Sequence, residues 1–528
     1  MSTITSSYRT SNADVLVQDV SNSDYYIFVS TTVFSSTVNS SFSSNDFLEK
    51  TLFGKKVAPS DTFLMIENRR WLYSNIYDQY DDMLDISDKS FYVIVYPSDN
   101  STGDYRVFKC LFNNYGAPSY NAPNYEADVD DQIYRMGDGY VWKYMYAITP
   151  TQFEKYTALR FAPIIGNSSA NTALNKSVDH IEVSNPEENK GYELKSGVIA
   201  EVLENDIVIY SANTDNSLSA IKDYYTGQNL YVTNPDNISE VYTIDKYTYD
   251  TSNSRATIKL LDKDSFIQIN HSFKIFPRIE ITGDGTGAVA IPQIRLLPGD
   301  PDNGVIESVL ILNKGSNYTR ASARVVTPLY GFDPSATSSI DVEAILRPIL
   351  SPSGGHATNF KYELKSKHAL IYLTLTDTDN LSIPSSNVYG KIGLVKNPSF
   401  TSNTSPALFD NRIELQLSSA LLEEDEIVTQ VFETEVTFRA QVHEASGNTA
   451  YLCNYHGPYQ NYDIDGYYDI PLDPTKPIVS SQNQFISINN VVRPPYVQKT
   501  GDVYYMTSFA TITRTPTSNE EYKIVLEF

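Results

Sequence analysis

From Tyr140 onward the side chains alternate in chemistry: Tyr140, Trp142, Tyr144 and Tyr146 stand on one parity, Val141, Lys143, Met145 and Ala147 on the other. A repeat of two is the period of a strand, so the segment predicts a strand with one aromatic face. Gly137-Asp138-Gly139 precedes it and supplies a tight turn, since glycine tolerates positive φ. Similar runs predict strands at residues 13–20, 25–31, 91–96 and 105–112. A short helix is expected at 46–53, capped by Ser44 or Asn45 and stopped by Gly54, and a second at 151–156 after Pro150. Residues 113–135, with Gly116, Pro118 and Pro123, lack periodicity and predict a long loop of the kind that serves a partner or ligand.

A polar stretch, Gly166-Asn167-Ser168-Ser169-Ala170-Asn171, marks a change of texture. Beyond it a Gly-rich turn at 283–290 leads into an apolar run at 304–312 and an alternating strand, Ala321–Val326. Residues 180–183 with Asn189-Lys190-Gly191-Tyr192 echo this weakly, without a fixed period. After Pro348 the pattern returns to that of the first part. A strand is expected at 369–375, one or two at 426–445, and a last one at 521–528 with Tyr522, Ile524, Leu526 and Phe528 on one face. The chain therefore divides, on this reading, into residues 1–170, an inserted β-rich module at 171–348, and 349–528, which completes the first part's core.

Composition agrees with a mainly β fold. Of 528 residues 41% are hydrophobic, enough for sizeable cores, and 40 tyrosines and 23 phenylalanines favour strands and interfaces. A net charge of −24 argues against nucleic-acid binding, because phosphates need a basic patch and only isolated pairs such as Lys55-Lys56 and Arg69-Arg70 occur. The aspartates between Asp78 and Asp88, and Glu423-Glu424-Asp425-Glu426, read as solvated loops, with a docking surface for a basic partner as the alternative. Two cysteines make no disulfide framework, and Cys110 in an apolar run reads as a buried thiol. Neither a secretory leader nor a membrane-spanning run is expected.

Candidate chemistry is sparse. Gly285-Thr286-Gly287 lacks the ending of a phosphate loop and predicts a hairpin turn. The stretch Asn461-Tyr462-Asp463-Ile464-Asp465-Gly466-Tyr467-Tyr468-Asp469 places oxygen ligands as in a calcium loop, but Leu472 stands where a bidentate glutamate belongs. Histidines 180, 271, 356, 368, 443 and 456 show no metal-ligand spacing, and no nucleophile elbow occurs. No catalytic, cofactor or metal residue is therefore assigned.

One set of motifs is specific in combination. Gly137-Asp138-Gly139-Tyr140-Val141-Trp142 followed by an apolar run closely resembles a segment of the baseplate wedge subunit (gene product eight) family of T-even-type contractile-tailed phages. Arg70-Trp71, Tyr80-Asp81-Asp82 and, near the end, Arg493-Pro494-Pro495 match that family in the same order. The extra module at about 175–348 is similar to longer versions from marine cyanobacterial phages. The resemblance implies a layered β-sandwich with long loops and a few short helices, forming a homodimer that binds other wedge proteins in the virion. It implies no enzyme, cofactor, membrane or nucleic-acid role. A receptor-binding or fibre-attachment adhesin and a glycan-cleaving tail enzyme are the rival readings.

Overall fold

The computed structural model describes residues 5–31, 43–98, 103–129, 132–166, 176–186, 188–211, 218–297, 300–327, 342–376, 379, 388–432, 435–457, 472–513, 517 and 519–528. The fold is mainly β, with few helices among the described residues. It separates into two compact units: Met1–Asn68 with Pro150–Ile165 and Ser366–Phe528, and Arg69–Thr149 with Gly166–Lys365. The sequence expectation grouped residues 69–149 with the first part; their contacts place them in the second unit.

In the first unit two antiparallel sheets make a sandwich. One runs Leu408–Asp410, Thr51–Lys56, Tyr25–Thr31, Val388–Lys396, Asp502–Thr513; the other runs Glu520–Glu527, His368–Leu375, Thr62–Glu67, Phe161–Pro163. Alternation explains the layering. Tyr25, Ile27 and Val29 face Ala369, Ile371, Leu373 and Ile524 in a shared core. Tyr26 and Phe28 turn the other way, onto Phe47, Phe400, Phe409 and Tyr496. The strand Tyr25–Thr31 is thus buried on both faces. The last strand behaves as expected, with Tyr522, Ile524, Leu526 and Phe528 packed on one core. The stretch 426–445 contains two strands, Ile427–Phe432 and Glu435–Ser446, in a separate seven-stranded sheet with its own core.

Two local expectations are corrected. Residues 13–20 are not a strand but lie in the helix Ser6–Asn22, started by the Thr5 hydroxyl accepting from Tyr8 N at 3.3 Å. Its buried residues, Thr10, Ala13, Leu16 and Val20, are spaced three and four apart, which is the helical stripe. The helix expected at 46–53 spans only Ser44–Glu49, with Ser43 and Asp46 forming a capping box, and Thr51–Lys56 is a strand. Gly54 does not end the helix: it lets a strand pass Phe409 and Phe28, whose rings lie 2.5 and 2.7 Å from where a Cβ would sit. The helix after Pro150, Pro150–Tyr156, is as expected.

The second unit contains a four-stranded sheet ordered Tyr92–Val95, Tyr105–Asn113, Tyr140–Ile148, Ile133–Arg135. It also contains a closed six-stranded antiparallel barrel of Lys195–Val202, Asp206–Tyr210, Arg255–Leu260, Ser239–Asp250, Asn229–Thr233 and Ser272–Phe276, filled by side chains such as Ile199, Ile258 and Tyr247. Three two-stranded pairs complete it. The turn at Asp284-Gly285 is not a hairpin turn, because the flanking strands pair elsewhere: Arg278–Gly283 with Ala321–Val326, and Thr286–Leu297 with Asp300–Ser316.

Candidate functional site

The motif Gly137–Trp142 forms one corner of the four-stranded sheet. Gly139 has φ +85°, and a Cβ there would lie 2.7 Å from Asn114 Cγ, so the turn requires glycine. Gly137 has no such constraint; its Cβ would meet only Asn121 Oδ1, at 3.8 Å. Gly139→Ala is accordingly expected to cost about 1–3 kcal/mol, against under about 0.5 kcal/mol for Gly137→Ala, as read from urea midpoints.

Between them Asp138 organises the neighbouring loop. Its carboxylate accepts from Tyr120 N (2.6 Å), Asn121 N (2.8 Å), the Ser119 hydroxyl (3.1 Å) and Tyr140 N (3.2 Å). Burial opposes the charge, yet these donors hold the carboxyl below the usual carboxylate range. Ser119 in turn accepts from Trp71 Nε1 at 3.3 Å.

Tyr140 and Trp142 are fully buried and stacked at 5.6 Å, with Tyr77 edge-on to Trp142 at 5.5 Å. The Tyr140 hydroxyl donates to Ala117 O and accepts from Tyr77 N. The aromatic face is shorter than the alternation predicted. Phe108 pairs with Tyr144 but Val107 with Tyr146, so a bulge at Met145 flips the strand. Tyr144 stays in the cluster, while Tyr146 packs against Phe360.

Three separate signature segments therefore meet here. Trp71 and Tyr77 close the aromatic cluster, Arg70 lies over the Tyr96 ring at 4.8 Å, and Tyr80 N donates to Cys110 O. Val141 faces away from the cluster, onto a cavity of about 280 Å³ lined also by Phe112, His180 and Glu182. Arg493, Pro494 and Pro495 belong to the first unit, where Pro495 O accepts from Thr401 N.

The acidic stretch 78–88, expected from its charge to be solvated, is so only in part. Asp85 and Asp88 are exposed, but Asp81 is buried, its Oδ1 accepting from Met83 N. Asp82 accepts from the Tyr80 hydroxyl (2.9 Å) and pairs with Lys176 (3.4 Å).

Beneath Tyr80 lies a buried charge cluster that sequence reasoning did not find. Lys109, in the middle of Val107-Phe108-Lys109-Cys110-Leu111, is fully buried and pairs with Glu363. Its ammonium sits 3.9 Å from the Tyr80 ring centre. Glu363 also accepts from the N–H groups of Ala357, Thr358 and Asn359, at 2.8–2.9 Å. Nearby, Asp179 accepts from His356 and from Lys314. Burial lowers His356 and takes His180 down to about 4, so the His180 imidazole is neutral when folded near pH 7. Burial works against the charged forms of Asp179 and Glu363, yet His356 and Lys109 respectively keep each below its ordinary value. The one signal available from sequence was a lysine inside an apolar run.

With the geometry in place, comparison with known proteins adds no relative. The chain matches no family model and no curated protein.

Among the described residues no cluster of histidine, cysteine and carboxylate suits a metal ion, and no helix is long and apolar enough to cross a membrane. The candidate calcium stretch, residues 461–469, lies outside the described residues. Cys110 is buried as expected, and Cys453 is buried 3.8 Å from His443 Nδ1. Burial pushes the Cys453 thiol up to about 12 and His443 down to about 4, which makes this pair a poor nucleophile–base couple.

These shifts set an acid limit. A histidine whose folded pKa is lowered takes up its proton near 6.5 only in the unfolded chain, so stability falls as pH drops below that value. Asp138 and Glu363, held low, contribute stability above their unfolded values of 3.8 and 4.5 that is lost as pH falls through their folded values. Urea midpoints are expected to be flat near pH 7–8, to decline below about 6.5, and to decline more steeply below about 4. A midpoint independent of pH between about 7 and 5 contradicts the assignment of neutral buried imidazoles.

Proposed function

We propose that the chain is a structural component of a contractile-tail baseplate wedge, acting by assembly with other wedge subunits and not by catalysis. The carrying observation is the convergence of the signature segments. Residues 70–71, Tyr77 and residues 137–142 build one aromatic corner, which Tyr80 joins through its N–H to Cys110 O, and that corner presents an apolar surface. Tyr73 is 69% exposed and its ring meets that of exposed Tyr120 at 5.3 Å; Leu72 and Ile76 lie exposed on the same loop. Asp138 fixes the backbone of Tyr120, so the motif sets where this surface stands. Aromatic side chains on ordered backbone are what a stable protein–protein contact needs, because little entropy is lost on docking.

On this reading the protein resides in the virion, is assembled in the host cytoplasm, and acts as a homodimer. Electron microscopy of particles made without the chain tests it. Filled heads without baseplates are the expected result. Complete, tailed particles that fail to adsorb would discard the wedge role in favour of the adhesin.

A further inference from the structure

Behind the corner, Asn114, Tyr115 and Gly116 have φ of 47°, 55° and 78°, three successive left-handed residues of which only the last is glycine. A tyrosine in this conformation is strained. The surroundings hold it there: Asn113 Oδ1 accepts from Gly116 N, and Asn114 Nδ2 donates to Asp138 O. The result is a tyrosine 45% exposed, set edge-on to Phe112 at 5.1 Å.

Tyr115 stands at a cavity of about 380 Å³ whose polar lining includes Asp78, Gln79, Asp81, Glu182 and Arg347. Three carboxylates (Asp78, Asp81, Glu182) face two cations (Lys89, Arg347), so the lining is one positive charge short. Arg347 is shared: its Nε is 3.1 Å from Glu182, but its Nη2 is 3.7 Å from Asp81. Gln79 is only 9% exposed and donates through Nε2 to Glu182 at 3.1 Å. Its Oε1 is buried and has no donor among the described residues. An acceptor buried without a donor is costly, and its residue lines this cavity. Burial also raises the Asp81 carboxyl, a penalty that a nearby cation relieves.

We propose that this cavity receives an arginine side chain from a partner protein, which names the chemistry of one assembly contact and rests on the assembly reading above. The acceptors lie side by side in the lining, since Gln79 is hydrogen-bonded to Glu182 and Arg347 links Glu182 to Asp81. A planar guanidinium with five donors can reach several of them at once, whereas an ammonium is a single point charge. The guanidinium face also stacks on an aromatic ring, which Tyr115 supplies at the rim.

The test is calorimetric titration of the full chain with L-argininamide, alongside L-lysinamide and magnesium chloride. Saturable binding of argininamide is expected, about tenfold tighter than lysinamide. Glu182→Gln and Gln79→Met should each weaken it by about tenfold. Tyr115→Asn guards against misfolding, because asparagine accepts the left-handed backbone more readily. It should leave the melting temperature equal or higher while weakening argininamide severalfold. Equal affinity for the two amides, displacement of argininamide by magnesium, unchanged binding in Glu182→Gln and Tyr115→Asn, or no binding up to about 50 mM would each overturn the assignment. The assembly reading fails separately. Absent binding together with baseplate-less particles removes the arginine site alone, and saturable binding together with complete particles removes the wedge role alone.

Discussion

Trp142→Ala is expected to destabilise the protein by about 3–5 kcal/mol, the range for removing a large buried aromatic side chain. Trp142 is fully buried, stacked on Tyr140 and met edge-on by Tyr77, so alanine leaves a void between rings that are themselves pinned. Tyr140 is tied to Ala117 and Tyr77 by its hydroxyl, which limits how far the site can collapse. Trp142→Phe separates packing from hydrogen bonding. The indole Nε1 is buried without a partner among the described residues, so phenylalanine forfeits volume but no hydrogen bond. It should cost less than half as much as alanine. Urea unfolding of the three proteins checks this, and a Trp142→Ala loss under about 1 kcal/mol would refute the view of the corner as a rigid scaffold.

Glu363→Gln should cost a similar amount, about 3–5 kcal/mol, by removing the charge that Lys109 touches while keeping the side chain's shape. Lys109 is fully buried, and burial already lowers its pKa, so the loss of Glu363 leaves a cation where solvation is poor. The glutamine oxygen can still accept from part of the 357–359 backbone. Adding Lys109→Met should therefore recover much of the loss, because a buried ion pair replaced on both sides is often close to neutral. A double variant no more stable than Glu363→Gln alone would mean that the backbone bonds at 357–359, and not the charge, carry the effect.

Most of the strands that the sequence pattern predicted are found, because strands buried on one or both faces carry period-two or continuous apolar runs. Tyr25–Thr31, Tyr105–Asn113, Tyr140–Ile148 and Ala321–Val326 all lie where the pattern put them. It failed where two periods fit one run. Ala13, Leu16 and Val20 satisfy a helix, while 13, 15 and 17 satisfy a strand, and only packing of the helical stripe decides. Gly54 was read as a helix stop, although its role is to admit two rings, a contact with Phe409 that lies far away in sequence. The bulge at Met145 is equally invisible in sequence, since it depends on how Phe108 and Val107 register against the next strand.

By itself the sequence determined a mainly β chain with sandwich-forming alternation, a buried thiol at Cys110, a tight turn at Gly139 and a set of ordered motifs. These are local properties: periodicity, turn chemistry and composition. Only the tertiary structure decided that Arg69–Thr149 packs in the second unit and that Trp71, Tyr77, Asp138 and Trp142 form one corner. It alone placed Lys109 against Glu363, 254 residues apart, and Gln79 against Glu182 at the wall of a cavity. Such pairings depend on which strand faces which, and burial sets their energy, so no window along the chain contains them.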